Sequence, residues 1–182
     1  DVAPSRGLGD VYKRQLYNGP ECGASAPDHM HFQAAGKEES LSTPFFKDFL
    51  NDIIEQTDFD DVPAIVNSYA NNTFITSIGL ASILRSELIE KFENIYNILS
   101  TFYGKEPLIN IIAWYAIDST KHGEDDEVVA WNCVIFLRSK HRPDCYYNQG
   151  EKGLLISPAV AEMGGVFPII REEDMDLSLI HI

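Results

Sequence analysis

The stretch DHMHFQ at residues 28–33 follows directly on NGPECGASAP at residues 18–27, and these two stretches are the most informative part of the chain. Side chains in a β-strand alternate between two faces, so His29, His31 and Gln33 are expected on one face of a strand. Met30 and Phe32 are then expected on the other face, buried against a core. The glycines of the loop can turn backbone N–H groups inward to bind an anion. A phosphate held there beside a neutral imidazole would be arranged for nucleophilic attack on phosphorus.

The alternation alone is also typical of a half-buried strand with a polar outer face. A hairpin without a functional role explains less well why a loop containing Gly and Pro leads straight into the histidines. Together, the loop and the His-x-His-x-Gln pattern resemble the nucleotidyltransferase branch of the histidine-triad (HIT) superfamily, in which Gln stands where the HIT hydrolases carry a third His. That branch includes galactose-1-phosphate uridylyltransferase, diadenosine tetraphosphate phosphorylase and the GDP-hexose phosphorylases.

The form DHMHFQA at residues 28–34 is most similar to the GDP-hexose phosphorylases and to uncharacterised bacterial proteins of the DUF4922 type. Three further segments are similar to the bacterial group, namely HRP at 141–143, ISP at 156–158 and MGG at 163–165. The resemblance therefore extends from about residue 17 to residue 176 and implies a HIT-like fold.

The resemblance implies a role for each residue of the motif. His31 occupies the position of the nucleophile, whose imidazole attacks the α-phosphorus of a nucleoside diphosphate compound and expels a phosphate or a sugar phosphate. His29 would orient His31, and Gln33 would donate its amide N–H to a non-bridging oxygen in the transition state. Because an amide cannot act as a general acid near neutral pH, Gln33 favours transfer to a phosphate over hydrolysis.

Two groups of residues are expected to bind the nucleotide and its phosphates. Asn18, Gly23 and Ser25 match polar and glycine positions of the family's phosphate loop. A basic cluster, RSKHR at residues 138–142, supplies Arg138, His141 and Arg142, which could recruit the acceptor phosphate or the sugar phosphate. The alternative for this cluster is a solvated strand end. No metal site and no cofactor are implied.

The predicted function is that of a nucleotidyltransferase of the phosphorylase type, acting on a nucleotide sugar or a dinucleoside polyphosphate with a phosphate acceptor. Two alternatives remain open from the sequence. One is a HIT-type hydrolase of dinucleoside polyphosphates. The other is a nucleotide-binding protein that keeps the loop and turns over poorly, although the intact His31 argues against it.

Composition limits the partners and the compartment. The formal net charge of −14 disfavours binding to nucleic acid or to an anionic membrane. No apolar run approaches the ~20 residues that span a bilayer. The 3 cysteines are an odd number without metal-ligand spacing, which fits reduced thiols in a cytoplasm. Cys22 is expected to fill space in the loop and not to act as a nucleophile.

The periodicity predicts an α+β fold with an antiparallel sheet. A strand is expected to end at residues 16–17, and further strands are expected at 28–35, 62–69, 73–78, 108–117, 128–139, 152–157 and 165–170. The strands at 62–69 and 73–78 are expected to form a hairpin around a turn at residues 71–72. Helices are expected at 45–54 and 80–103, with Gly104 as the stop of the second. Residues 58–61 read as a solvated acidic loop, and the Gly pair at 164–165 as a turn or bulge.

The two ends do not resemble sequence selected for a fold. DVYKRQ at residues 10–15 and LSLIHI at residues 177–182 resemble translated sequencing adapters. We therefore expect residues 1–15 and 177–182 to be non-native tails with few tertiary contacts, and residues 16–176 to be the HIT-like domain, truncated at both ends.

Overall fold

The computed structural model of the protein describes residues 13–36, 64–70, 73–118, 128–148, 153–163, 171, 172 and 174. Its strands are β1 (Lys13–Asn18), β2 (Phe32–Gly36), β3 (Ala64–Ala70), β4 (Thr73–Ser82), β5 (Ile109–Asp118) and β6 (Val128–Leu137). Its helices are α1 (Arg85–Tyr103), a 3-10 helix (Asp144–Tyr147) and the short α2 (Val160–Met163). The six strands form one antiparallel sheet in the order β2-β1-β5-β6-β4-β3. The α+β class with an antiparallel sheet is confirmed.

The strand register determines which residues form the core. Residues directly opposite each other on neighbouring strands point to the same face of a sheet. One row across this sheet consists of Phe32, Tyr17, Ile111, Ile135 and Ile78. Helix α1 packs on this face, and the buried residues of the core beneath it are Ile78, Leu80, Leu88, Ile109, Cys133 and Ile135.

The expected burial of Met30 and Phe32 is wrong. Phe32 lies on the same face as the core residues. Helix α1 also packs on this face, but over β4 and β6, which are three or more strands away from β2. Phe32 therefore stays 63% exposed, and Met30 is 75% exposed. The alternation correctly assigned Phe32 to the core face, whereas the extent of helix cover over that face depends on tertiary packing.

The strand predicted at residues 28–35 begins later than expected, at Phe32. Among the described strands, β2 pairs with β1 alone, and the last pair joins Tyr17 and Phe32. Beyond that pair β1 ends at Asn18, and the N–H of Gly19 donates to the carbonyl of Ile109 instead (3.0 Å). His29 and His31 consequently precede the strand, and of the three motif residues only Gln33 lies within it.

The predicted hairpin is confirmed, since β3 and β4 pair from Ala64↔Gly79 to Ala70↔Thr73. The helix predicted at 80–103 begins five residues later, because β4 continues to Ser82. Ser82 Oγ accepts a hydrogen bond from the N–H of Leu84 (3.1 Å) and donates to Glu87 Oε2 (2.7 Å), which organises the first turn of the helix. Gly104 ends α1 in the left-handed conformation, as predicted (φ 66°).

The region after β6 differs from the prediction. The strand expected at 152–157 is absent from the described residues 153–159, which form no regular structure. Isolated hydrogen bonds hold this segment, such as the one from the N–H of Leu154 to the carbonyl of Cys145 (3.0 Å). The 3-10 helix and α2 were not predicted. Both are 4 residues long, too short for periodicity to reveal them.

Several predictions fall on residues outside the described ranges. These are the helix at 45–54, the acidic loop at 58–61, the turn at 71–72, the Gly pair at 164–165, the strand at 165–170 and the tails at 1–12 and 177–182. Residues 13–15 are described, and the expectation of few contacts does not hold for them. They pair with both β2 and β5, and Arg14 is buried.

Candidate functional site

The loop between β1 and β2 is built from a tight turn at its start. The N–H of Cys22 donates to the carbonyl of Gly19 (2.8 Å), so the chain reverses directly after β1. The Cys22 side chain is fully buried, and burial raises the pKa of its thiol to about 11, outweighing the opposing effect of the nearby Arg138 charge. A thiol with so high a pKa is a poor nucleophile, in agreement with the expected filling role.

Gly23 adopts the left-handed conformation, with φ 80°. A Cβ atom added at this position would lie 2.8 Å from the Cα of Ala159, in the segment before α2. Both observations call for glycine: the backbone turn, and the close approach of a second segment. The loop therefore packs directly against residues 158–159, which sequence reasoning did not connect with it.

Asn18 is held inside the protein. Its Oδ1 atom accepts hydrogen bonds from Asn110 Nδ2 (2.7 Å) and from the N–H of Val160 (2.8 Å). The predicted phosphate ligand is thus also a structural link between β1, β5 and α2. Ser25, the third residue predicted from this loop, is exposed to solvent.

The two histidine rings lie next to each other, with centroids 5.5 Å apart. His31 Nδ1 is 3.3 Å from the carbonyl oxygen of His29, and His29 Nδ1 is 3.1 Å from Asp28 Oδ1. Because a carbonyl or carboxylate oxygen only accepts, each Nδ1 carries the proton in these bonds. In the neutral tautomer that these bonds select, Nε2 of each ring keeps its lone pair.

A cavity of about 390 Å³ lies beside His29, and His31 is not one of its lining residues. Its lining includes Tyr17, Asn18, Pro27, His29, Met30 and Glu106. The Tyr17 hydroxyl donates to Glu106 Oε1 (3.1 Å), and the pKa of Tyr17 is raised to about 12 by burial and by that carboxylate. The volume falls within the range of small-molecule sites, roughly 300–1,000 Å³.

An apolar groove of about 460 Å³ continues from this cavity between α1 and the β1–β2 side of the sheet. The two spaces share Tyr17, Met30, Tyr96 and Glu106 as lining residues. Gln33 lies on the opposite face of the sheet, where it pairs with Leu16 and is exposed.

The basic cluster at 138–142 divides into a buried and an accessible part. Arg138 is 9% exposed and donates to Asn110 Oδ1 (3.3 Å), to the carbonyl of His141 (2.7 Å) and to the carbonyl of Pro158. These bonds commit much of its guanidinium to the protein itself, so Arg138 holds the site together and its side chain is not a free phosphate clamp.

His141 and Arg142 are half-buried and are more accessible than Arg138, while Lys140 is exposed and pairs with Asp144 (2.8 Å). Arg142 Nε donates to Ser157 Oγ (3.0 Å), and its guanidinium lies over the Tyr146 ring, 4.2 Å from the centroid. The pKa of His141 is lowered by burial and by the charges of Arg142 and Arg138. The bond to Ser157 places Arg142 next to residues 158–159, the segment that closely approaches Gly23.

The structure therefore brings Asn18, Gly23 and Arg138 together around residues 158–160, and His29 together with His31. Sequence reasoning missed Asn110, which joins Asn18 to Arg138. Its signal was a lone amide within the apolar run at 108–117.

The described part of the chain contains neither a cluster of metal ligands nor a membrane-spanning helix. No group of three or more His, Cys, Asp or Glu side chains there could hold a metal ion. None of the helices in the described ranges combines the length and apolarity needed to cross a membrane.

A family model described as "Domain of unknown function (DUF4922)" matches residues 10–36. The matched stretch contains β1, the loop, both histidines and β2. No curated protein and no solved structure matches the chain significantly. The expected resemblance to DUF4922 is thus confirmed for residues 10–36, and the resemblance to the HIT superfamily stays a prediction.

Proposed function

We propose that the protein is a HIT-like nucleotidyltransferase of the phosphorylase type, which transfers a nucleotidyl group from a nucleotide sugar or dinucleoside polyphosphate to a phosphate acceptor through His31. In the first step the neutral imidazole attacks the α-phosphorus. An N–P bond forms, and the P–O bond to the leaving phosphate or sugar phosphate breaks. In the second step an oxygen of the acceptor phosphate attacks the same phosphorus, the N–P bond breaks and the imidazole is regenerated.

The observation that carries the proposal is the hydrogen bond between His31 Nδ1 and the main-chain carbonyl of His29. It places the proton on Nδ1 and leaves the Nε2 lone pair available for attack. A main-chain acceptor also fixes the ring orientation, which an isolated surface histidine lacks. The Nδ1 atom of His29 bonds to the side-chain carboxylate of Asp28, and the His29 ring lies next to that of His31.

The charge around the loop supports the binding of phosphates there. The chain carries a net charge of −14, yet Arg138, His141 and Arg142 lie beside the loop that contains Gly23. Backbone N–H groups of a glycine turn and arginine side chains are the groups that proteins use most often to bind phosphate oxygens. We assign the acceptor phosphate to Arg142, whose guanidinium is the more accessible.

Gln33 lies on the face of the sheet opposite the groove, so its role as an oxyanion donor rests on the motif and not on a contact with the cavity. If Gln33 has this role, Gln33→Ala is expected to slow covalent labelling by ~10²-fold, the usual loss when one donor to a developing oxyanion is removed. Labelling should still occur, because the nucleophile is intact. The rate is measured with a substrate that carries ³²P at the α-phosphate. Asn97→Ala on the exposed side of α1 is the matched control, since it also removes an exposed amide. Equal rates for Gln33→Ala and Asn97→Ala would remove Gln33 from the mechanism.

The experiment that tests the proposed function uses the natural protein containing this chain and a panel of α-³²P nucleotide sugars and dinucleoside polyphosphates. We expect one member of the panel to label the protein covalently, and orthophosphate to release the label as nucleoside diphosphate. Release of nucleoside monophosphate at a rate indifferent to orthophosphate would favour the hydrolase instead. Reversible binding of the panel without any labelling would favour the non-catalytic alternative.

A further inference from the structure

Asn110 lies within β5 and is fully buried. Its Nδ2 group donates to Asn18 Oδ1 (2.7 Å) and to the carbonyl of Cys22 (2.8 Å). Its Oδ1 accepts from Arg138 Nη1 (3.3 Å). Both amide protons and the amide oxygen are therefore used, so this buried polar group is satisfied on all sides.

Asn18 is the cross-strand neighbour of Asn110 at the end of β1, whereas its two other partners, Cys22 and Arg138, belong to segments outside the strands. Cys22 lies in the loop after β1, where the ladder with β5 has ended at the pair Asn18↔Asn110. Arg138 follows β6 and continues the network to the carbonyl of Pro158. Asn18 continues it to the N–H of Val160. One carboxamide thus connects the loop, the end of β6 and the start of α2.

From this connection we infer that Asn110 is a positioning residue: through its Nδ2 group it fixes the loop at residues 18–22, and thereby the place of the phosphates and of His31, without contacting substrate. The anchoring of the loop is a property of the fold. Its kinetic consequence rests on the proposed function.

A structural role without positioning makes a different prediction. Asn110 could matter only because it fills space and accepts from Arg138. Asn110→Asp separates the two roles, since aspartate has nearly the same shape and still accepts from Arg138. It cannot donate to Asn18 or to Cys22, and its oxygen would face their oxygens.

The thiol of Cys22 reports on the loop independently of any activity. In the described ranges Cys22 and Cys133 are buried and Cys145 is partly exposed, so Cys145→Ser removes the background reaction. Cys133 lies under α1, and burial raises its pKa to about 12, so it serves as the internal standard. Modification of Cys22 by a disulfide reagent under native conditions measures how often the loop opens.

We expect Asn110→Asp to raise the modification rate of Cys22 by at least about tenfold and to leave that of Cys133 unchanged. The factor corresponds to the net free energy of one hydrogen bond, and the substitution removes two. Asn132→Asp is the matched control. Asn132 is equally buried and faces the same side of the sheet, but it lies opposite Trp114, four residues further along β5. It should leave the Cys22 rate at the wild-type value.

Equal Cys22 rates in Asn110→Asp and the wild type would overturn the inference, whatever the labelling assay gives. Absence of labelling in the wild type would refute the proposed function and leave the thiol result standing. Where labelling occurs, Asn110→Asp should reduce it by ~10²-fold, since a displacement of about 1 Å in a reacting group has that effect.

If Asn110→Asp does not fold, hydrogen exchange in the wild type tests the same network. The N–H of Val160 donates to Asn18 Oδ1, which Asn110 holds in place. Anchoring predicts that this amide exchanges at least about 100-fold more slowly than an unstructured peptide. Exchange at the peptide rate would overturn the inference.

Discussion

His31→Ala is expected to abolish covalent nucleotide labelling and to lower turnover by at least ~10³-fold, because the substitution removes the imidazole that forms the intermediate. Cys22, the nearby thiol, is buried and its pKa is raised to about 11, so it cannot replace the imidazole. Binding of the nucleotide should change little, since the loop and the basic cluster remain. The measurement is the rate of ³²P incorporation, together with the dissociation constant of the nucleoside monophosphate, which carries no phosphate leaving group and cannot label the protein.

His29→Ala is the informative comparison for His31→Ala. His31 Nδ1 bonds to the main-chain carbonyl of residue 29, which the substitution keeps. We therefore expect His29→Ala to be labelled more slowly than the wild type but far faster than His31→Ala. Equal labelling of wild type and His31→Ala would refute the assignment of the nucleophile.

Gly23→Ala is expected to lower the free energy of unfolding by about 2–4 kcal/mol, from the left-handed backbone and from overpacking against the next segment. The added Cβ would meet the backbone of residues 158–159, which cannot move aside as a flexible side chain can. The loop must shift, and labelling should fall by ~10²-fold or more for the same geometric reason as at Asn110. Urea denaturation and the labelling rate measure the two effects.

Gly104→Ala provides the control for Gly23→Ala. Gly104 has a similar φ of 66°, but a Cβ there would meet nothing within 4 Å. We expect a loss of about 1 kcal/mol from the backbone conformation alone, with unchanged labelling. If the two variants lose the same free energy of unfolding and both keep full labelling, the contact between the loop and residues 158–159 does not contribute to the reaction.

Local patterns in the sequence predicted the parts of the fold that depend on neighbours along the chain. The hairpin of β3 and β4, the end of α1 at Gly104 and the long strands β5 and β6 follow from periodicity and turn residues. The start of α1 was placed too early because Leu80 fits a helical spacing equally well. Leu80 instead belongs to β4, because it pairs with Cys133, a residue distant in sequence.

The residue types of the candidate site were predictable from the sequence, but which of them are accessible and which hold segments of the protein together was not. The motif pointed to His29, His31 and the loop, because chemistry-bearing residues were adjacent in the chain. Arg138 was expected to bind phosphate, and the structure instead surrounds it with acceptors from residues 110, 141 and 158. Such a network joins distant segments, so a single sequence gives no signal for it beyond one amide in an apolar strand.

His31 is proposed to carry a nucleotidyl group during the reaction. The most direct test is mass spectrometry of the protein after brief incubation with the substrate found by the labelling panel, followed by trypsin digestion. We predict that the tryptic peptide that contains His31 and ends at Lys37 gains the mass of one nucleoside monophosphate at His31 and loses it when orthophosphate is added. An unmodified peptide in a protein that turns the substrate over, or the same mass gain on another residue, would contradict the account.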